Sequence, residues 1–131
     1  MTRLNDCPCG RKKSYMDCCY LIHQGSVKAI TSEDLMRSRY TAFTKGLGDY
    51  LNESHSVNTR VEKDKKLIEN WAKSVTWLHL DVLNTTAGME GDASGTVEFK
   101  AFFVDHGKMD VIHENSKFAI ENGKWVYVGV V

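Results

Sequence analysis

The sequence predicts an α+β fold, in which an N-terminal zinc knuckle precedes three helices packed on a curled four-stranded antiparallel sheet. Two observations lead to this prediction. All four cysteines lie between Cys7 and Cys19, which marks off a small N-terminal module. Apolar residues then recur with a helical period until about residue 74 and with the period of a strand from Val75 onward. Helices followed by a run of strands are typical of α+β domains.

The cysteine spacing predicts a metal site. Cys7 and Cys9 form one pair, and Cys18 and Cys19 form the other. Adjacent or nearly adjacent cysteines rarely meet the narrow Cα separation of a disulfide, whereas two such pairs readily surround one tetrahedral Zn²⁺. We therefore predict one zinc ion per chain with these four ligands. Iron in the same S₄ geometry, a redox dithiol and idle cysteines are the alternatives.

The residues of this module resemble a known motif. Cys7-Pro8-Cys9-Gly10, Lys12-Lys13, Tyr15 and Cys18-Cys19 are similar to the SEC-C motif, a zinc-binding module of the SecA preprotein translocase and many other bacterial proteins. The usual motif has a Gly-Ser-Gly run after the second cysteine, whereas here Gly10 is followed by basic residues. The resemblance implies zinc and a protein partner of the translation or secretion machinery. The candidate partner-binding residues are Arg11, Lys12, Lys13 and Tyr15.

Composition and charge limit the other classes of partner. The 131 residues contain 17 Lys and Arg and 17 Asp and Glu, so no overall positive charge favours nucleic acid or an anionic membrane. The N-terminus lacks the apolar run of a signal peptide, and no stretch approaches membrane-spanning length. Together with reduced cysteines, this predicts a cytoplasmic protein of two parts, a zinc module over 1–25 and an α+β domain over 30–131.

Capping patterns predict where the helices begin. Ser or Thr followed three residues later by an acidic residue is a capping box. Gly46 and Gly48 should end the long helix, and Asp49 should cap a short helix over 50–54. The capping boxes are Ser14 with Asp17 before Cys18, Thr31 with Asp34 before the first long helix, and Thr59 with Glu62 before a helix that ends near Ser74. The predicted buried face of the last helix is Val61, Ile68, Trp71, Ala72 and Val75.

Four strands are predicted over about 76–84, 96–104, 109–120 and 125–131. The two-residue turns Asn122-Gly123 and His106-Gly107 fix how the last three strands pair. This register places Phe99 opposite Glu114, Phe118 opposite Tyr127, Ser116 opposite Gly129 and Glu114 opposite Val131. The face toward the helices is then Val97, Phe99, Ala101, Phe103, Ile112, Glu114, Ser116, Phe118, Ile120, Trp125 and Tyr127.

Glu114 is the unusual member of this face, because an unpaired carboxylate among apolar residues is costly. Arg39 lies at the edge of the apolar stripe of the first long helix and is the candidate partner. One interpretation is a structural ion pair between the two. The other is a pocket for a small ligand. The pocket candidates are Arg39, Tyr40, His55, Trp71, Glu114, Ser116, Phe118, Trp125 and Tyr127.

The pattern of elements resembles the cystatin-like cone of the nuclear transport factor two superfamily. Nearly the whole chain is similar to the YchJ-type family of bacterial proteins, which join a SEC-C motif to such a cone. The matching runs are Leu35-Met36-Arg37-Ser38-Arg39-Tyr40, Ala42-Phe43, Asp49-Tyr50-Leu51, His55, Trp77-Leu78, Glu114-Asn115-Ser116-Lys117-Phe118 and Asn122-Gly123-Lys124-Trp125-Val126-Tyr127.

The resemblance implies a fold and a metal, but no reaction. The leading hypothesis is a non-enzymatic adaptor that binds a protein through the zinc module. The alternative is a small-molecule-binding protein or enzyme, with Glu114 or His55 as acid or base and Arg39 as an anion clamp. The apolar outer sheet face also suggests a homodimer. Its residues are Phe102, Val104, Met109, Val111, Val126, Val128 and Val130.

Overall fold

The computed structural model of the chain describes residues 6–131 and confirms the α+β class. Two 3₁₀ turns, Tyr15–Asp17 and Glu62–Asp64, precede helices. Within this range no helix is long and apolar enough to cross a membrane. The helices are α1 (Cys19–His23), α2 (Ser32–Lys45), α3 (Gly48–Glu53) and α4 (Lys65–Ser74), and the strands are β1 (Thr76–Ala87), β2 (Ser94–Asp105), β3 (Lys108–Glu121) and β4 (Lys124–Val130).

Helix α2 begins and ends where the sequence predicts. The Thr31 hydroxyl accepts a hydrogen bond from the Asp34 backbone N–H at 3.1 Å, which satisfies one of the free donors of the first turn. Gly46 closes the helix in the left-handed conformation, with φ +65°. Capping chemistry therefore sets both ends of the longest helix.

The other predicted caps are wrong. Helix α3 begins at Gly48, so Asp49 lies inside its first turn, and the Asp49 carboxylate accepts a hydrogen bond from Lys65 Nζ at 2.6 Å. The turn before α4 is preceded by Val61 rather than capped by Thr59. Ser14 donates to the Asp17 carboxylate at 3.1 Å instead of accepting a backbone N–H, so the helix after it begins only at Cys19. The Asp49 carboxylate and the Ser14 hydroxyl thus bond to side chains rather than to backbone N–H groups.

The four strands form one antiparallel sheet in the order β1-β2-β3-β4. His106 and Asn122 both have φ +51° and are followed by glycines with positive φ, as two-residue hairpin turns require. The predicted pairs Phe99 with Glu114 and Phe118 with Tyr127 are confirmed. A bulge between Lys117 and Phe118 moves Ser116 opposite Val130 rather than Gly129, and β4 ends before Val131, so that residue is not a strand partner of Glu114.

The core lies between α2 and the inner face of the sheet. Most residues of the predicted inner face are buried or half-buried, but Ile120 is 38% exposed. Trp125 also fastens β4 to the segment before α2, because its Nε1 donates to the Ile30 carbonyl at 3.0 Å. The core residues are Leu35, Met36, Tyr40, Leu80, Val97, Ala101, Phe118 and Trp125.

Helix α4 covers the sheet less completely than predicted. Ala72 and Val75 are buried, whereas Val61, Ile68 and Trp71 are 48%, 38% and 37% exposed. The Trp71 ring meets the rings of Trp77 and Phe103 edge-on, each at 5.6 Å between centroids. Open space remains beneath this part of the helix layer.

The outer sheet face is apolar only in part. Met109, Val111 and Val130 are 70%, 41% and 64% exposed, but Val126 is only 6% exposed and does not belong to this surface. A homodimer through this face stays a prediction.

The loop between β1 and β2 depends on a close contact between two glycines. A Cβ added at Gly95 would lie 2.4 Å from the Gly88 Cα and 2.6 Å from the Gly88 nitrogen. These are backbone atoms, so the collision is relieved only if the strands separate.

We expect Gly95→Ala to lower the free energy of unfolding by about 1–3 kcal/mol through this overpacking. Gly129→Ala is the matched control, because a Cβ there has no neighbour within 4 Å. Urea unfolding followed by circular dichroism measures both variants. Equal stability of the two alanine variants would contradict the close-contact explanation.

Candidate functional site

The four cysteines form a compact buried cluster. Their Sγ atoms all lie within 4.8 Å of one another, and each residue is at most 8% exposed. The Cys9 and Cys18 Sγ atoms are 3.7 Å apart. A tetrahedral zinc site with Zn–S bonds of about 2.3 Å needs sulfurs about 3.8 Å apart. The cluster therefore fits a tetrahedral S₄ metal, and either zinc or iron satisfies this geometry.

A tight loop brings the first pair of cysteines into position. The Cys7 N–H donates to the Lys13 carbonyl at 2.8 Å, and the Gly10 N–H donates to the Cys7 carbonyl at 3.3 Å. Gly10 has φ +93°, a conformation that strains other residues. The glycine that follows Cys9 in the sequence is thus required by the positive φ of this turn.

The thiols share protons unequally. Hydrogen bonds with Cys19 and Cys9 lower the pKa of Cys7 far below its usual value. The hydrogen bond with Cys7 in turn raises the pKa of Cys19, and burial adds to that increase. A thiolate is the ligand form of cysteine, so a metal bound here would displace the protons that the four thiols share.

The cysteine cluster packs against a polar face of α2. Arg37 Nη1 donates to the Cys9 carbonyl at 2.5 Å. One turn later, the Thr41 hydroxyl lies 3.5 Å from the Cys19 sulfur and 3.7 Å from the Cys7 sulfur. Arg37 and Thr41 therefore hold the cysteine loop against α2.

His23 makes a second link between the cysteine module and α2. Its Nε2 lies 2.7 Å from the Ser38 carbonyl, which can only accept, so Nε2 carries the proton. Its Nδ1 then accepts from the Tyr15 hydroxyl at 2.8 Å. Burial lowers the pKa of His23 and favours this neutral form. The ring is therefore a structural bridge and lies outside the set of four sulfur ligands.

Two of the four candidate partner-binding residues are engaged internally. Arg11 Nη2 pairs with the Asp34 carboxylate at 2.6 Å, and the Tyr15 ring lies 4.1 Å from Lys45 Nζ. Lys12 and Lys13 are exposed. The packing of the cysteine module against α2 was not predicted. Polar residues that recur along one face of α2 could have indicated it, namely Asp34, Arg37, Ser38, Thr41 and Lys45.

A cavity of about 330 Å³ lies between the helices and the inner face of the sheet. Eight of the nine pocket candidates line it. The exception is Trp125, which is buried in the core. Sequence reasoning missed seven lining residues, which carry only apolar or aromatic side chains. The complete lining is Met36, Arg39, Tyr40, Phe43, His55, Ile68, Trp71, Trp77, Phe99, Ala101, Ile112, Glu114, Ser116, Phe118 and Tyr127.

The polar groups of the cavity centre on Glu114. Its Oε2 accepts hydrogen bonds from the Ser116 hydroxyl at 2.5 Å and the Tyr127 hydroxyl at 3.3 Å. Both hydroxyl groups therefore donate to Oε2. The strand register places Phe99 directly opposite Glu114.

The anticipated ion pair between Arg39 and Glu114 does not form, since no ion pair among residues 6–131 joins them. Arg39 Nη1 donates instead to the Leu51 carbonyl at 2.8 Å and the Ser54 hydroxyl at 2.7 Å. Its guanidinium lies 4.8 Å from the centre of the Tyr127 ring. Burial lowers the pKa of Arg39 to about 10, so it remains charged at neutral pH. The end of α3 provides acceptors that the sequence pattern could not reveal.

His55 borders the same polar region. The segment carrying it pairs with β4, because the Ser56 N–H donates to the Tyr127 carbonyl at 2.7 Å and the Tyr127 N–H donates to the Ser54 carbonyl at 2.8 Å. The His55 ring meets the Tyr127 ring edge-on at 5.0 Å. Burial, and then the charges of Arg39 and Arg60, lower the pKa of His55. The imidazole is therefore neutral at pH 7.

The cavity combines a carboxylate, a neutral imidazole and a tethered guanidinium at one end with aromatic walls elsewhere. This arrangement suits an amphiphilic small molecule, whose polar end meets the charged groups and whose apolar body meets the rings.

Comparisons with known proteins agree with this architecture. The family model described as the YchJ middle NTF2-like domain matches residues 31–129. The chain is 40% identical over 135 residues to a UPF0225 protein of Shewanella sp. (strain MR-4), covering 97% of this chain and 80% of that one. It is also 40% identical over 121 residues to a UPF0225 protein of Corynebacterium glutamicum, covering 92% of each.

Two solved structures extend the similarity to the cysteine module. The solution structure of a SEC-C motif containing protein from Rhodopseudomonas palustris matches with a TM-score of 0.83 and 33% identity, over 98% of this chain and 95% of that one. The crystal structure of a SEC-C motif containing protein from Psychrobacter arcticus matches with a TM-score of 0.82 and 30% identity, over 98% and 84%. The chain belongs to the YchJ-type UPF0225 family, whose middle domain is NTF2-like.

Proposed function

We propose that this protein binds a small molecule in the aromatic cavity and that a zinc ion in the cysteine cluster stabilises the fold. The observation that carries the proposal is Glu114, a carboxylate that lines a largely apolar cavity and forms no hydrogen bond or short ion pair with a cationic side chain among the described residues. Such a charge is costly in a purely structural core and useful in a binding site.

The cysteine cluster supports a structural role for the metal. Cys7, Cys9, Cys18 and Cys19 would fill all four positions of a tetrahedral zinc ion, and they are buried. A closed site of this kind contributes folding energy and leaves no position for a substrate. Reduced, metal-bound cysteines also support a cytoplasmic location.

We expect elemental analysis of protein purified without chelators to show one zinc per chain. Cys18→Ser should lower the free energy of unfolding by roughly 3 kcal/mol or more, because structural zinc supplies about 10 kcal/mol or more to small modules. Thermal unfolding with and without a chelator measures this loss. The chelator should destabilise the wild type strongly and Cys18→Ser little, whereas iron in the elemental analysis, or a wild type insensitive to chelation, would contradict the assignment.

Native mass spectrometry tests the cavity directly. We expect protein purified from cells to carry a small molecule in addition to zinc, and denaturation to release it. Ala101→Leu fills part of the cavity wall with a larger apolar side chain and should reduce the co-purified fraction at least tenfold, with zinc retained. Gly129→Ala, which meets open space in β4, is the control. Wild-type protein that carries zinc and no small molecule would count against the proposal.

A second candidate function follows from Lys12 and Lys13. Both are exposed on the loop of the cysteine cluster, next to internally paired Arg11. This position supports the hypothesis of a protein-interaction adaptor that presents these two lysines to an acidic surface. Because Arg11 and Tyr15 already contact residues of α2, this hypothesis now places the binding surface on the two lysines.

If the adaptor hypothesis is right, Lys12→Glu combined with Lys13→Glu should weaken capture of a specific partner at least tenfold while zinc content is unchanged. Lys63→Glu combined with Lys108→Glu makes the same charge change at other exposed positions and should leave capture intact. Quantitative affinity purification compares the two double variants. Equal capture by both would rule out the lysine surface.

A further inference from the structure

Glu114 has an unused acceptor in the cavity. Both hydroxyl donors, Ser116 and Tyr127, bond to its Oε2. Within residues 6–131, Oε1 takes part in no hydrogen bond and no ion pair reaches this carboxylate. A carboxylate oxygen lined by apolar groups is satisfied most strongly by a charged donor. A ligand can supply that donor.

The cations close to Glu114 do not occupy this role. The Arg39 guanidinium donates to the Leu51 carbonyl and the Ser54 hydroxyl and lies over the face of Tyr127, whereas Glu114 takes the hydroxyl at the edge of the same ring. His55 is the other basic group of the lining, and its imidazole is neutral at pH 7. Neither basic side chain therefore donates a hydrogen bond to the carboxylate, and Arg39 interacts with Glu114 only through the attraction of their charges.

The walls of the cavity favour the same kind of ligand. Aromatic faces attract cations and stack on flat apolar groups. Phe99 lies opposite Glu114 in the sheet register, and the rings of Trp71 and Trp77 lie 5.6 Å apart farther along the lining. The volume of about 330 Å³ is at the small end of ligand pockets, which suits one or two fused rings. The aromatic lining residues are Tyr40, Phe43, Trp71, Trp77, Phe99, Phe118 and Tyr127.

We propose that the cavity selects aromatic or other flat apolar amines, with the protonated nitrogen bound to Glu114 Oε1 and the apolar body between the aromatic walls. This inference rests on the proposed small-molecule-binding function and assigns its ligand class. In this arrangement Glu114 selects ligands that carry a positive charge.

Three probes that share an indole ring test the proposal. Tryptamine carries an ammonium group, 3-ethylindole carries no charge, and indole-3-propionic acid carries a carboxylate. Isothermal titration of the zinc-loaded full chain should show tryptamine binding at least tenfold more tightly than 3-ethylindole, with the acid weakest. A charge-assisted hydrogen bond in a cavity accounts for a preference of this size.

Glu114→Gln should reduce tryptamine affinity at least tenfold and leave the affinity for 3-ethylindole unchanged. The matched control is Glu98→Gln, which removes the same charge from a residue bonded to His113 outside the cavity lining, and it should preserve the preference. The comparison of the three probes on wild-type protein needs no variant, so the proposal stays testable even where Glu114→Gln unfolds.

Three results would overturn the proposal: tryptamine no tighter than 3-ethylindole, the acid as tight as the amine, or a preference that survives Glu114→Gln. A wild type that binds none of the three probes would also overturn it. The proposed function is judged separately by the co-purified small molecule. A released neutral or acidic compound would therefore sink the amine assignment and still support binding in the cavity.

Discussion

Helix α2 lies between the cysteine cluster and the sheet, and both parts of the molecule take their position from it. Leu35, Met36 and Tyr40 pack into the core from one side. Arg37 and Thr41 contact the cysteine loop from the other. Because one rigid helix carries both faces, a metal bound by the cysteines would also support the orientation of α2 on the sheet. The two predicted parts of the chain are thus structurally interdependent.

The polar end of the cavity depends on the same helix. Arg39 connects α2 to the last turn of α3 and to Ser54, and the segment after Ser54 pairs with β4 at Tyr127. Tyr127 in turn donates to Glu114 on β3. The carboxylate is therefore positioned by contacts that begin at α2, although it lies on the opposite layer. The Arg39 guanidinium is hydrogen-bonded to carbonyl and hydroxyl oxygens and attracts Glu114 only through space, so among residues 6–131 both hydrogen bonds to Glu114 come from hydroxyl groups.

Local signals predicted the features that depend on local chemistry. Asn122-Gly123 predicted one hairpin and its register as far as Phe118, because two adjacent residues must have positive φ. The cysteine spacing predicted the cluster because each pair lies within three residues of sequence. Thr31 capped α2 as expected, but Asp49 did not cap α3, since Lys65, sixteen residues later, takes its carboxylate. The partner of Arg39 was also missed, because Leu51 and Ser54 approach it only after α3 packs on α2. Asp49 and Arg39 were mispredicted because residues distant in sequence contact their polar groups.

The division between a closed metal site and an open cavity follows from burial and ligand count. Cys7, Cys9, Cys18 and Cys19 saturate a tetrahedral ion and are almost inaccessible, so a metal there has no position for an incoming ligand. The cavity has the opposite character. Its walls provide apolar surface without filling the space, and Glu114 retains an acceptor that the described protein groups leave unused. On the proposed function, stability and recognition are separated within one fold: a metal in the cysteine cluster would supply the first, and the Glu114 carboxylate the second.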